Sequence, residues 1–191
     1  ESRIITEYTE LLRPTDDDIE GTGGITGAVT DSKKGDAVIT INGRDASASV
    51  LRIVVEVKDK AMTGPAIEKE LAEARENRKA EIALMVFSEA AAPAGASPFT
   101  ISRHGVYCVV DPEAPDVAIL EAGYRLARIS ALIRAKSEGS GADLSAVKDA
   151  IDALRSRWGS VKEIKKTLTS IDPTTEKARD ELDALRSAIV T

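Results

Sequence analysis

Three residues could do chemistry together: Asp36, Glu56 and Lys58. Asp36 is followed by nineteen residues and then by Glu56-Val57-Lys58. Mg²⁺ is a hard cation that takes oxygen ligands, usually one or two carboxylates with waters and substrate phosphate oxygens. Two carboxylates on facing strand positions are close enough to share one ion, because cross-strand Cβ atoms lie ~5 Å apart. The Val57 carbonyl between Glu56 and Lys58 can add a third ligand. Close carboxylates also repel, which favours a cation between them. Lys58 stands two residues beyond Glu56, ~6.6 Å along the same strand face. Its side chain can orient an attacking water and balance phosphate charge as the ammonium, or deprotonate that water as the neutral amine. The chemistry indicated is metal-assisted phosphodiester hydrolysis, with Mn²⁺ able to replace Mg²⁺.

The elements that must position these residues are legible. Asp36-Ala-Val-Ile-Thr-Ile-Asn42 and Leu51-Arg-Ile-Val-Val-Glu-Val-Lys58 are β-branched and strand-like, and Asn42-Gly43-Arg44-Asp45 is a turn signal. A hairpin with its midpoint near Ala46 sets position 36 opposite position 56. Period two then puts Asp36, Glu56 and Lys58 on one face, and Ile53, Val55 and Val57 on the other, toward a core. A helix precedes the hairpin, from Arg3 to Leu12, with Pro14 stopping it. Asp16 to Asp18 and Gly21 to Gly27 read as loop. The Gly-rich stretch lacks the Lys-Ser/Thr of a phosphate loop and a strand before it.

After the hairpin, Thr63-Gly64-Pro65 opens a helix with Ile67, Leu71, Ala74 and Arg78 on one stripe. Ile82 to Phe87 is a continuous apolar run, typical of a strand buried on both faces. Phe99 to Arg103 and Val106 to Val110 read as two more strands around a His104-Gly105 turn. A long amphipathic helix runs from Asp116 to about Lys136. Ser137 to Gly141 is a flexible break. Leu144, Val147, Ile151, Leu154, Trp158 and Val161 then follow heptad spacing, and Ala178, Leu182, Leu185 and Ile189 continue it beyond Asp172-Pro173. Residues 1–136 thus read as an α/β domain. Residues 142–191 read as a helical hairpin or coiled coil whose narrow stripe must be covered, either by its own partner helix or by another chain, which would make the protein a homo-oligomer.

This order of elements resembles the PD-(D/E)XK, restriction-endonuclease-like nuclease superfamily. Ser32-Lys-Lys-Gly-Asp36 and Ile53-Val-Val-Glu-Val-Lys-Asp59 carry the resemblance, which covers roughly residues 1–135. It implies a central mixed sheet flanked by helices, Mg²⁺-dependent cleavage of DNA, and Asp36, Glu56 and Lys58 as the catalytic set. Gly35 stands where the family name has proline. Some members add a carboxylate from the N-terminal helix, a role open to Glu7 or Glu10. Lys33 and Lys34, just before Asp36, are candidates for contact with a DNA phosphate.

Composition narrows the alternatives. The chain has 191 residues, 26 basic and 32 acidic, with a formal charge of −6. That excludes the basic coat of a DNA-packaging protein. One Trp, three Tyr and two Phe are too few for a base-stacking platform. A single cysteine, Cys108, excludes an intrachain disulfide framework and Cys-based zinc sites, and a single histidine, His104, excludes multi-histidine metal cages. Cys108 reads as a small buried hydrophobe, Trp158 as a packing residue and His104 as an exposed turn residue. Arg75 and Arg78 share a helix face, where Glu70, Glu73 or Glu81 offer salt bridges. Residues 1–123 carry a net −9, which argues against strong nonspecific DNA binding, while residues 124–166 carry +5 and can attract a polyanion or simply solvate a helix. No apolar run reaches the ~20 residues of a membrane span. The chain starts Glu1-Ser2 without a Met and shows no signal-type start, so it reads as cytoplasmic and as a fragment of a longer protein. A second function class fits the same pattern: a non-catalytic nuclease-fold scaffold whose helical tail binds partners.

Overall fold

The computed structural model describes residues 1–42, 50–93 and 98–137. The turn at 43–49 and the tail read as a helical hairpin over 142–191 lie outside the described residues. The described chain is an α/β protein with six strands in one mixed sheet, ordered β1-β2-β3-β4-β6-β5. The strands are β1 (Asp18–Gly21), β2 (Ala37–Ile41), β3 (Leu51–Lys58), β4 (Ile82–Ser88), β5 (Phe99–Ile101) and β6 (Gly105–Val110). The helices are α1 (Ser2–Leu12), α2 (Gly64–Arg78) and α3 (Val117–Ser137). β1, β2 and β3 are antiparallel, β3, β4 and β6 are parallel, and β5 returns antiparallel to β6.

The β2–β3 register pairs Ala37 with Val55, Ile39 with Ile53 and Ile41 with Leu51. This is the register that a turn centred near Ala46 dictates. Ala37, Ile39, Ile53 and Val55 are fully buried on one face. The other face is covered too. Val54, Ala83, Met85 and Phe87 form a core with Ile67, Leu71 and Ala74 of α2. Pro65 lies in the first turn of α2, where its missing N–H costs nothing, and Lys79 ends the helix in a left-handed conformation. β4 is buried at every position, as expected for a central parallel strand.

Two expectations are corrected. Asp18 and Gly21, read as loop, are the two ends of a strand over Asp18–Gly21. It has one apolar residue and pairs only with β2, so neither hydrophobicity nor alternation marks it. Ser137, placed in a flexible break by composition, is the last residue of α3.

α3 lies against the opposite face from α2. A Cβ on Gly123 would touch Cys108 Sγ at 3.3 Å and Leu84 Cδ1 at 3.4 Å, so glycine brings the helix close to β4 and β6. Cys108 is fully buried, as its apolar strand suggested, and burial pushes its thiol up to about 12. Asp17, also buried, ties α3 to the sheet end. It accepts hydrogen bonds from Tyr124 Oη, from Arg128 Nε at 2.9 Å and from the Asn42 amide at 3.0 Å. Among the described residues no helix is long and apolar enough to cross a membrane.

Candidate active site

Asp36, Glu56 and Lys58 meet at one end of the sheet, where β2 begins and β3 ends. In open α/β sheets this outer edge, beyond the carboxyl ends of parallel strands, is where ligands bind. Asp36 Oδ2 accepts the Val57 amide at 2.7 Å. A strand residue points its N–H and C=O to the same side, so the Val57 carbonyl is directed toward the β2 side of β3, as its amide is. Lys58 Nζ lies 2.5 Å from Glu56 Oε1. Glu56 Oε2 accepts the Gly35 amide at 2.6 Å.

Glu56 is the most enclosed of the three, with its side chain 5% exposed. Burial raises its carboxyl pKa. The nearby Asp36 charge adds to the rise, while Lys58 and the Gly35 N–H oppose it. For Lys58 burial works to lower the pKa. The hydrogen bonds and charges of Glu56 and Glu70 outweigh it, so the net shift is upward. The ammonium is therefore charged at neutral pH. Of the two roles open to Lys58, orienting a water and removing its proton, the charged lysine suits the first.

Gly35 occupies a position that proline cannot fill. Its φ is +94°, which proline's ring cannot adopt. Its N–H is needed by Glu56, and proline has none. A Cβ there would lie 2.6 Å from Val54 Cγ2 and 2.7 Å from Arg78 Cγ.

Glu70 was not singled out as a site residue, yet α2 delivers it to the cluster. Its Oε1 is 2.8 Å from Lys58 Nζ, and its Oε2 pairs with Lys34 Nζ. Burial tends to raise the Glu70 pKa, but its bonds to Lys34 and Lys58 and their charges leave it lowered. The signal was present: Glu70 is three residues after Ile67 and so falls on the buried stripe of α2, where a charged residue needs a partner. Lys34 also pairs with Glu73 at 2.8 Å. It is turned inward onto α2, whereas Lys33 is exposed.

On the N-terminal helix Glu10 is paired with Arg13 at 2.8 Å, and Glu7 is half-buried. Glu1, just before the helix, reaches the loop beside Asp36. A Cβ on Gly23 would lie 2.9 Å from Glu1 Oε1 and 3.5 Å from Asp36 Oδ1.

Arg75 and Arg78 make no salt bridge among the described residues. Glu70 and Glu73 go to lysines instead. Arg78 is buried, and its Nη2 donates to the carbonyls of Thr22, Ile25, Lys33 and Gly35 at 2.7–3.2 Å. Beside it, Asn77 Nδ2 donates to the Ser32 and Lys34 carbonyls, and Asn77 Oδ1 accepts the Val29 amide. The end of α2 thus shapes the loop that carries Lys34, Gly35 and Asp36.

His104 lies away from this cluster and is half-buried rather than exposed. Arg75 Nη1 is 3.2 Å from its Nδ1. Burial lowers the His104 pKa, and the Arg75 charge lowers it further. The neutral ring is favoured on folding, so its contribution to stability is full above the unfolded value of ~6.5. It is lost as pH falls through the depressed folded value. Arg75→Ala should raise the His104 pKa toward 6.5 in an imidazole proton NMR titration. An unchanged midpoint would show that Arg75 does not act on the ring.

Among the described residues no group of three or more His, Cys, Asp or Glu side chains is arranged to hold a metal ion. The set present is two carboxylates with a strand carbonyl. These are hard oxygen donors, and two carboxylates suffice for Mg²⁺ when waters and substrate complete its shell. The residues fit such an ion in donor type and charge.

Fold and site together define an α/β protein with a carboxylate–lysine cluster at the carboxyl edge of a mixed sheet. Comparison with protein-family models, with curated proteins and with solved structures gives no significant match.

Proposed function

We propose that the chain is a metal-dependent nuclease, with a restriction-endonuclease-like core, that hydrolyses phosphodiester bonds of DNA. One observation carries the reading. Asp36, twenty residues before Glu56, comes to the sheet edge beside Glu56-Val57-Lys58, where its Oδ2 accepts the Val57 amide and Lys58 Nζ pairs with Glu56 Oε1. Asp36, Glu56 and the Val57 carbonyl would hold Mg²⁺ or Mn²⁺. When bound, the ion supplies polarisation of the scissile phosphate and stabilisation of the leaving oxyanion. Asp36 fixes the strand end through the Val57 amide. Glu56 is held in place by the Gly35 amide. Lys58 stays charged, orients the attacking water and offsets phosphate charge. Lys33, exposed next to the site, contacts substrate phosphate. Two copies paired through residues 142–191 would place two sites on a two-fold assembly, able to cut both strands of a duplex.

Supercoiled plasmid tests the proposal. Wild type should nick it in Mg²⁺ and not in EDTA, and Lys58→Ala should nick about a hundredfold more slowly. Equal cutting by wild type and variant would remove Lys58 from the mechanism.

A second reading, a catalytically silent scaffold on the same core, is favoured by one feature. Both Glu56 oxygens and the Lys58 ammonium are engaged within the protein. It predicts no Mg²⁺-dependent nicking at any enzyme concentration.

A further inference from the structure

Charges in the cluster alternate. Glu56 Oε1 is 2.5 Å from Lys58 Nζ, which is 2.8 Å from Glu70 Oε1. Glu70 Oε2 pairs with Lys34, whose second acceptor is Glu73 Oε2 at 2.8 Å. With Asp36, and with Lys69 lying 3.8 Å from Glu73 Oε1, the cluster holds four carboxylates and three ammonium groups and stays net negative.

Lys58 sits on the carboxylate that a divalent cation needs. Glu56 is buried, and a buried carboxylate without a counter-charge is costly. An arriving divalent ion would repel the ammonium. Lys58 then has to leave Glu56, and an unpaired half-buried ammonium is costly as well. Glu70 removes that difficulty, since it already touches the same Nζ from the other side. Glu70 cannot simply follow the lysine, because Ile67 and Leu71, both buried, hold α2 on the sheet and Lys34 holds its second oxygen.

We propose that Lys58 is a tethered counter-ion for Glu56 that a divalent cation displaces, and that Glu70 is the positioning residue that retains Lys58 in the site after displacement. This rests on the metal-dependent reading above. It adds that the cation-free site is held closed by its own lysine, and that the lysine stays beside the ion instead of swinging into solvent.

The test is calorimetric titration of Mn²⁺ alone into the full chain, with no DNA. Five proteins are compared: wild type, Lys58→Met, Glu70→Gln, the Lys58→Met/Glu70→Gln double variant and Asp36→Asn. Lys58→Met lacks the competitor and should bind Mn²⁺ about tenfold more tightly. Glu70→Gln strips the lysine of its second counter-charge, so Lys58 grips Glu56 harder and Mn²⁺ should bind about tenfold more weakly. In the Lys58→Met background the Glu70 change should shift affinity less than about twofold, since no lysine remains to retain. Lys58→Gln repeats the comparison should methionine at this polar edge unfold the domain. An equal loss from Glu70→Gln in both backgrounds would make Glu70 a general field charge or a ligand, and would overturn the inference. So would Mn²⁺ binding that Asp36→Asn abolishes but that neither Lys58→Met nor Glu70→Gln alters, a result that leaves the metal site intact. Failure of every protein to bind Mn²⁺ would overturn both this inference and the nuclease reading.

Discussion

Replacing Arg78 with alanine is expected to lower the unfolding free energy by about 4 kcal/mol, measured by urea denaturation followed with circular dichroism. Arg78 is 8% exposed, and its guanidinium has no carboxylate partner among the described residues. Its two Nη2 hydrogens are shared by four carbonyls, of Thr22, Ile25, Lys33 and Gly35. Alanine would leave a cavity in place of the side chain and would strip these carbonyls of a charged donor, and charge-assisted hydrogen bonds are the stronger kind. The arrangement is not free of cost, because Arg78 Nε is buried without a hydrogen-bond partner. A lysine at 78 should recover only part of the loss, since a point charge cannot serve the carbonyls as a planar fork does. The effect should also reach the candidate site. Gly35 gives its carbonyl to Arg78 and its amide to Glu56, so loosening one loosens the other. A loss below about 1 kcal/mol would mean that the loop is held by other contacts.

Arg78 also shows where sequence reasoning reached and where it stopped. Its spacing from Ile67, Leu71 and Ala74 put it on the buried stripe of α2, and it is buried there. Its partners did not follow from spacing. They are backbone carbonyls from a segment more than forty residues earlier, and carbonyls carry no residue-type signal. The β2–β3 register was legible because a single turn and a period of two determine it, and a one-residue slip would have turned Ile39 and Ile53 to the wrong face. The meeting of Asp36 with Glu56 and Lys58 follows from that register. The meeting with Glu70 does not, because it depends on how α2 rotates and slides over β3, which packing decides. Lys34 illustrates the same limit. Local sequence marks it as a cation beside a carboxylate, whereas its inward turn depends on Glu70 and Glu73 from α2.

Asp36→Asn should separate the fold from the chemistry more cleanly than any other change at the site. The main-chain roles of residue 36 survive it: the amide donates to the Val55 carbonyl at 2.9 Å, and the carbonyl accepts from Thr22 at 2.7 Å and Gly23 at 3.0 Å. The amide side chain also keeps an oxygen for the Val57 N–H, now met by Asp36 Oδ2. What disappears is one negative charge and an anionic ligand oxygen. That charge helps to raise the Glu56 pKa, so its removal relieves a repulsion that burial makes worse. The thermal midpoint should therefore hold or rise by a few degrees. On the proposed nuclease reading, Mg²⁺-dependent plasmid cleavage should fall about a thousandfold, because a single carboxylate paired with Lys58 retains little to attract a divalent ion. The combination discriminates between the two readings of the cluster. A folded variant that still cleaves within tenfold of wild type would place the activity elsewhere, and the Asp36–Glu56 pair would then be an element of strand-end architecture alone.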